Sequence, residues 1–128
     1  MRIAVAALFL QHGAQKLFGS PPGQNMNGLM LAAGILEFFG GLLVLVGLFT
    51  RPVAFILSGQ MAVAYFMAHA PRGWSPLANH GELAVLYCFV FLYISVAGAG
   101  CWSIDSCLRR RQASIPTAES AAAPAKES

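Results

Sequence analysis

The segment Gly28–Phe49 reads GLMLAAGILEFFGGLLVLVGLF and contains a single charged residue, Glu37. A stretch of about 20 apolar residues is long enough to cross the hydrocarbon core of a bilayer as a helix. An ionisable side chain in such a helix is costly, so it usually faces a bundle interior and finds a partner there. Gly34 and Gly41 share the helical face of Glu37, and small residues let a neighbouring helix approach closely. The segment therefore predicts a membrane helix whose carboxylate packs against another helix.

The composition of the whole chain indicates the same class of protein. Of its 128 residues, 57% are hydrophobic and only 10% are charged, whereas soluble domains carry about 25% charged residues. The length fits one domain. The net charge of +3 is too small to indicate a nucleic-acid partner, so the lipid bilayer is the expected partner of this surface.

Four apolar segments, separated by turn residues, predict an all-α integral membrane protein. Its expected architecture is a four-helix transmembrane bundle. The predicted helices are residues 3–18, 28–49, 53–70 and 81–97. Residues 19–27 are expected to be a loop, and Thr50 is expected to cap the third helix. The membrane domain is expected to span residues 1–108. Residues 109–128 are expected to be a basic stop, Arg109–Arg111, followed by a small, polar, disordered tail.

The first segment also has features of a secretory signal peptide, but no small-residue cleavage site follows it.

The positive residues predict the orientation of the protein in the membrane. Arg2, Arg51 and Arg109–Arg111 lie on one predicted side, against Lys16 and Arg72 on the other. We therefore expect a multi-pass membrane protein with both termini in the cytoplasm.

The uncommon polar residues fall in the outer half of the predicted bundle. They are His12, Gln15, Lys16, Glu37, Tyr65, His69, Asn79 and Glu82. With a rise of about 1.5 Å per residue, His12 and Glu37 lie at similar depths, so a contact between them is expected. We interpret this set as a candidate buried polar cluster with Glu37 as its deepest member.

Three members of the cluster also have alternative interpretations. His12 could be a hydrogen-bonded packing residue. Lys16 could extend to the interface or pair with Glu37 or Glu82. Glu37 could be protonated and donate one hydrogen bond, or belong to a network that only fixes helix packing.

Three cysteines, Cys88, Cys101 and Cys107, occur in the chain. The odd number argues against a fully paired disulfide framework, and C-W-S-I-D-S-C does not have the spacing of a zinc site. We interpret Cys101 and Cys107 as juxtamembrane thiols and expect no metal site.

Six motifs occur in order along the chain. They are H-G-A-Q-K-L-F-G (12–19), A-G-I-L-E-F-F-G-G (33–41), G-L-F-T-R-P (47–52), M-A-V-A-Y-F-M-A-H-A-P-R-G (61–73), N-H-G-E (79–82) and W-S-I-D (102–105). On these motifs, the chain resembles the DoxX family, small bacterial four-helix integral membrane proteins of the DoxX/DoxD type. The resemblance implies that the membrane is the bacterial inner (plasma) membrane. The resemblance implies a membrane-associated redox role, since some members are similar to a subunit of a thiosulfate:quinone oxidoreductase. The polar family positions are markers without catalytic assignments: Lys16, Glu37, Arg51, His69, Asn79 and Glu82.

Two functions follow as hypotheses. The first is a redox-associated accessory subunit near a quinone or thiol/sulfur-compound pathway, where any enzyme activity would be that of a quinone-linked membrane oxidoreductase subunit. In that case the expected cofactor is a diffusible quinone, and we expect no tightly bound cofactor. The alternative is a structural adaptor subunit of a larger membrane or redox complex with no chemistry of its own. Haem ligation by two of His12, His69 and His80 is a weaker hypothesis, and transport would require homo-oligomers.

Overall fold

The regular secondary structure in the part of the chain that the computed structural model describes, residues 1–19 and 28–113, is helical. In chain order the helices are α1 (Arg2–Phe18), α2 (Gly28–Val46), α3 (Thr50–Ala64), α4 (Glu82–Ala97) and α5 (Ile104–Ala113). Helix α3 continues as a π-helical turn, Tyr65–His69, and a 3-10 turn, Ala70–Arg72. The all-α prediction is confirmed. The number of helices differs from the predicted four, because α5 adds a fifth.

Helices α1 to α4 share one hydrophobic core. Helix α1 packs along α2, α3 packs along α4, and α2 also contacts α3. Helices α1 and α4 meet through Phe9, whose ring centroid lies 5.1 Å from that of Tyr87 and 4.7 Å from that of Phe91. The buried core residues come from all four helices: Ala6, Phe9, Val44, Ala54, Leu57, Met61, Tyr87, Phe91 and Ile94.

The outer surface of these helices is apolar. Two helical stretches, Gly28–Val46 and Thr50–Arg72, are long and apolar enough to cross a membrane, and Glu82–Ala97 is a shorter apolar helix. Large side chains such as Phe55 and Phe89 point outward, 63% and 64% exposed. A surface of this kind needs lipid or protein to cover it.

The connection between α2 and α3 lies three residues earlier than predicted, at residues 47–49 instead of residues 50–52. Helix α2 ends at Val46 because Gly47 and Phe49 adopt positive φ angles of 76° and 48°. Helix α3 then begins at Thr50. The prediction that Thr50 caps this helix is wrong, since Phe49 occupies the cap position and no side chain of the cap residue bonds there.

Helix α5 occupies residues that we expected to lie partly in a disordered tail. It extends through residues 109–113. The remainder of the expected tail, residues 114–128, and the expected loop at residues 20–27 lie outside the described residues.

Long-range hydrogen bonds fix the N-terminus, the α2–α3 connection and α5 at one end of the molecule. The Arg2 guanidinium donates to the carbonyl oxygens of Val44, at 2.8 Å, and of Trp102. The Asp105 N–H donates to the Gly47 carbonyl oxygen at 3.0 Å. The segment between α3 and α4, residues 73–81, lies at the opposite end.

Candidate functional site

A close approach of α1 and α2 positions the centre of the candidate site. A Cβ atom added to Gly13 would lie 2.5 Å from the backbone nitrogen of Phe38 and 2.9 Å from the carbonyl carbon of Glu37. A Cβ at Gly34 would lie 3.2 Å from side-chain atoms of Lys16 and Leu17. The helices therefore touch backbone to backbone, and this contact brings the Lys16 side chain over Glu37.

Glu37 forms a buried ion pair. Its Oε1 lies 2.5 Å from Nζ of Lys16 and accepts a second hydrogen bond from Nε2 of Gln60 at 3.0 Å. The same amide nitrogen lies 3.2 Å from the Ala33 carbonyl oxygen. The Glu37 side chain is 1% exposed and that of Lys16 is 33% exposed. The ammonium thus connects the buried carboxylate to the surface.

Two oxygen atoms of this group keep unused hydrogen-bonding capacity. Oε2 of Glu37 and Oε1 of Gln60 are buried and have no hydrogen-bond partner among the described residues. Buried polar atoms are rarely left in this state, so each such atom in a folded protein needs an explanation. A ligand that donates hydrogen bonds is one such explanation.

A cavity of about 170 Å³ lies beside the ion pair. Its lining combines polar and apolar side chains from α1 to α4 and the π-helical turn: Phe9, His12, Lys16, Glu37, Met61, Ala64, His69, Leu83, Ala84 and Tyr87. Two of these residues, His12 and Leu83, are exposed. The cavity therefore reaches the molecular surface between α1 and α4.

Among the described residues, Glu37 forms its side-chain hydrogen bonds with Lys16 and Gln60 and none with His12. His12 is one helical turn before Lys16 and lies edge-on to the Tyr87 ring, with centroids 5.9 Å apart. Both His12 and Glu37 nevertheless line the cavity.

Asn79 is the centre of a second polar group. It is 1% exposed, donates to the Gly73 carbonyl oxygen at 2.7 Å, and accepts from the Gly81 N–H at 2.8 Å. Its amide nitrogen also lies 3.4 Å from the Tyr65 hydroxyl, which donates to the Trp74 carbonyl oxygen at 2.9 Å. These bonds hold the α3–α4 connection on the end of α3.

His69 joins the two groups. Its Nδ1 lies 3.2 Å from the Asn79 carbonyl oxygen, its ring is stacked on Tyr65 at 6.4 Å between centroids, and it also lines the cavity. It lies in the π-helical turn Tyr65–His69, a local geometry that is frequent at functional sites.

Two predicted members of the cluster lie elsewhere. Gln15 is exposed on α1, and Glu82 is exposed in the first turn of α4. Neither lines the cavity. The structure therefore brings together His12, Lys16, Glu37 and His69, with Tyr65 and Asn79 behind His69.

Sequence reasoning missed Gln60. It is the only amide side chain in α3, Thr50–Ala64, and an amide within an apolar helix was the available signal.

Sequence reasoning also missed the role of Asp105. Its two carboxylate oxygens accept hydrogen bonds from the N–H groups of Phe49, at 2.9 Å, and Thr50, at 3.0 Å. Burial raises the pKa of Asp105, but the N–H groups of Thr50 and Phe49 and the Arg109 guanidinium outweigh it, so this pKa lies below its ordinary value. The carboxylate therefore caps α3 from α5. The motifs G-L-F-T-R-P and W-S-I-D meet in this contact.

The chemistry available at the cavity is hydrogen bonding and proton exchange. A carboxylate with one oxygen that accepts no hydrogen bond from the described residues, an ammonium and two imidazoles line a small cavity that apolar side chains complete. Drug-sized ligands and cofactors usually occupy pockets of about 300–1,000 Å³. A volume of about 170 Å³ fits a smaller group, which argues against a haem between His12 and His69.

Comparisons with known proteins agree on one family. The DoxX family profile matches residues 1–70. An uncharacterized protein of Haemophilus influenzae is 44% identical over 115 residues, which cover 83% of this chain and 86% of that protein. The inner membrane protein YqjF of Escherichia coli is 31% identical over 119 residues, which cover 86% of this chain and 90% of that protein. No solved structure matches the chain. The chain therefore belongs to the DoxX family of membrane proteins.

Proposed function

We propose that this protein is a redox-associated accessory subunit that binds the ring of a quinone or quinol in the cavity beside Lys16 and Glu37. The observation that carries the proposal is the unpartnered Oε2 of a buried carboxylate that lines the cavity. This atom accepts hydrogen bonds, and a quinol hydroxyl donates one.

The size of the cavity fits a single six-membered ring. Its volume is about 170 Å³, and an apolar protein cavity of about 150 Å³ is enough to bind benzene. The ring would lie among Phe9, Met61 and Tyr87. An isoprenoid tail would leave the bundle between His12 and Leu83, where the cavity reaches the surface, and extend into lipid.

The polar side chains suit both redox forms of such a ring. In the quinol form, a hydroxyl donates to Oε2 of Glu37, and the carboxylate can take up that proton as the ring is oxidised. In the quinone form, the carbonyl oxygens need donors, which Lys16 and the imidazoles of His12 and His69 can supply. A partner oxidoreductase would exchange the electrons with the ring.

We place the protein in the bacterial inner membrane with both termini in the cytoplasm. The related Escherichia coli protein is named an inner membrane protein. The end that carries Arg2, Arg51 and Arg109–Arg111 is the more positive one, and positive ends remain on the cytoplasmic side. The cavity would then lie in the outer half of the membrane.

Thermal unfolding of the purified full-length protein with short-chain quinone analogues tests the proposal. A ligand at 100 times its Kd stabilises the folded state by about 2.7 kcal/mol, which raises the melting temperature by several degrees. We expect this increase in the wild type and its loss in Glu37→Gln. The matched control is Glu82→Gln, which removes an exposed carboxylate outside the cavity and should keep the full increase.

The same experiment distinguishes the adaptor hypothesis. If neither quinone analogues nor thiosulfate change the melting temperature, the ion pair serves only to fix α1 against α2. An increase with thiosulfate alone would favour a sulfur-compound site over a quinone site.

A further inference from the structure

Two cysteines share one surface cleft at the end of the molecule opposite the cavity. Cys101 and Cys107 are free and exposed. Both line a cleft of about 630 Å³, together with Trp102, Leu108 and Arg111. No residue of this cleft lines the cavity at Glu37, so the two places are independent.

The local backbone brings the two cysteines near each other. The Ser106 hydroxyl donates to the Cys101 carbonyl oxygen at 2.7 Å, and the Cys107 N–H donates to the Ser103 carbonyl oxygen at 3.2 Å. If the chain between Cys101 and Cys107 were extended, their Cα atoms would lie roughly 20 Å apart. A disulfide needs Cα atoms about 4.4–6.8 Å apart, so it requires a chain that folds back. Because the chain already folds back here, closing this short ring requires little further ordering.

We propose that Cys101 and Cys107 form a dithiol–disulfide pair that exchanges with a small anionic disulfide. In the first step, the thiolate of one cysteine attacks a sulfur of the small disulfide, forms a mixed disulfide and releases one thiolate. In the second step, the other cysteine attacks the mixed disulfide, forms the Cys101–Cys107 bond and releases the second thiol. The small disulfide is reduced to two thiols, and the protein dithiol is oxidised to a disulfide.

The charge around the cleft selects the type of disulfide. Arg111 lines the cleft, and Arg109 and Arg110 precede it on α5. Three neighbouring positive charges attract negatively charged molecules. The preferred reactant is therefore a disulfide that carries carboxylates, such as oxidised glutathione, over a cationic disulfide of similar size.

Closing the ring also constrains a structural contact. The ring contains Asp105, whose carboxylate accepts the N–H groups of Phe49 and Thr50. The redox state of the pair is thereby linked to the α2–α3 connection. This inference goes beyond the proposed quinone function and does not depend on it.

Mass spectrometry of the full-length protein treated with oxidised glutathione tests the proposal. We expect the wild type to lose two hydrogen atoms in mass, and peptide mapping to show a Cys101–Cys107 bond. Cys101→Ser and Cys107→Ser should each retain one glutathione adduct on the other cysteine of the pair. The control Cys88→Ser, which removes the thiol in the bundle, should close the ring as the wild type does.

Reaction rates test the role of the charge. Arg111→Gln should slow ring closure by oxidised glutathione roughly threefold and leave the rate with the cationic disulfide cystamine unchanged or higher. Arg110→Gln, on the same helix but outside the cleft, should slow it less. Wild-type protein that carries two separate adducts, forms only intermolecular dimers, or does not react at all would overturn the proposal.

Discussion

Nζ of Lys16 lies 2.5 Å from Oε1 of Glu37, and this contact joins α1 to α2 at a point where the Glu37 side chain is 1% exposed. The pair neutralises the single charge of α2, but it engages only one of the two carboxylate oxygens. A network built only for packing would be expected to engage both, because a half-satisfied buried network destabilises a fold. The ion pair can therefore contribute both to the stability of the fold and to ligand binding, and the two contributions can be measured separately.

Removing the cation should destabilise the protein strongly. In Lys16→Met, the buried carboxylate keeps only the Gln60 amide, and breaking a buried ion pair from one side costs about 3–5 kcal/mol. Because the Lys16 side chain is 33% exposed, we expect about 2 kcal/mol, measured as a lower melting temperature in detergent. The double variant Lys16→Met/Glu37→Gln should recover part of this loss.

The control for this prediction is Arg72→Met. Arg72 is an exposed cation in the 3-10 turn after α3, so its removal should change stability by less than about 0.5 kcal/mol. In the double variant Lys16→Met/Glu37→Gln, a loss of stability equal to the sum of the losses in the two single variants would contradict a direct Lys16–Glu37 interaction.

The backbone contact at Gly13 should not accept even a methyl group. A Cβ there would lie 2.5 Å from the Phe38 nitrogen, so Gly13→Ala must push α1 away from α2. We expect a loss of about 1–3 kcal/mol in the free energy of unfolding, together with faster amide hydrogen exchange around Glu37.

Gly59 provides a matched control on another helix. It is exposed on α3, and a Cβ added there meets no atom within 4 Å. Gly59→Ala should be neutral or stabilising by up to about 1 kcal/mol, because alanine favours the helix over glycine. Equal destabilisation by both substitutions would show that the α1–α2 contact is not as close as described.

The sequence alone was sufficient to predict helices α1 to α4, although not α5, and to predict that Lys16 and Glu37 belong to one polar cluster. An apolar segment with one carboxylate requires a partner, and helix rise limits where that partner can lie along α1. However, the rise per residue does not specify how each helix is rotated about its own axis. His12 and Lys16 share a face one turn apart, and the glycine contact at Gly13, which selects Lys16, depends on how the two helices are packed.

Other parts of the structure depend on contacts that are distant in sequence. Gln60 reaches Glu37 only because the α2–α3 connection sets the register of α3, and that connection contains Phe49 with a positive φ. Asp105 bonds to residues more than 50 positions earlier. Neither contact has a local periodic signal, so the sequence pattern does not indicate which residues these two side chains bind.

Asn79 should be essential for the order of the α3–α4 connection. Asn79→Ala removes the bonds to the Gly73 carbonyl oxygen and the Gly81 N–H, and leaves both groups without that partner. We expect a loss of about 2 kcal/mol and faster hydrogen exchange over residues 73–81. Leu77→Ala, at a residue 75% exposed, should change neither. Unchanged exchange at the Gly81 amide in Asn79→Ala would contradict this role.

The cap on α3 should make the stability of the protein depend on pH through Asp105. Its pKa is below the ordinary value because its bonds to Thr50 and Phe49 and the Arg109 charge outweigh the effect of burial. The stabilisation is therefore complete above the unfolded-state value of about 3.9 and is lost as the pH falls through the lower folded-state value. At pH 7, Asp105→Asn replaces one of the two accepting oxygens by an amide NH2 group, so it should cost about 1 kcal/mol. The melting temperature of the variant should approach that of the wild type at acid pH. Glu82→Gln, which removes an exposed carboxylate from the first turn of α4, should not reproduce this convergence. A constant difference between wild type and Asp105→Asn at every pH would show that the shape of the side chain, and not its charge, caps the helix.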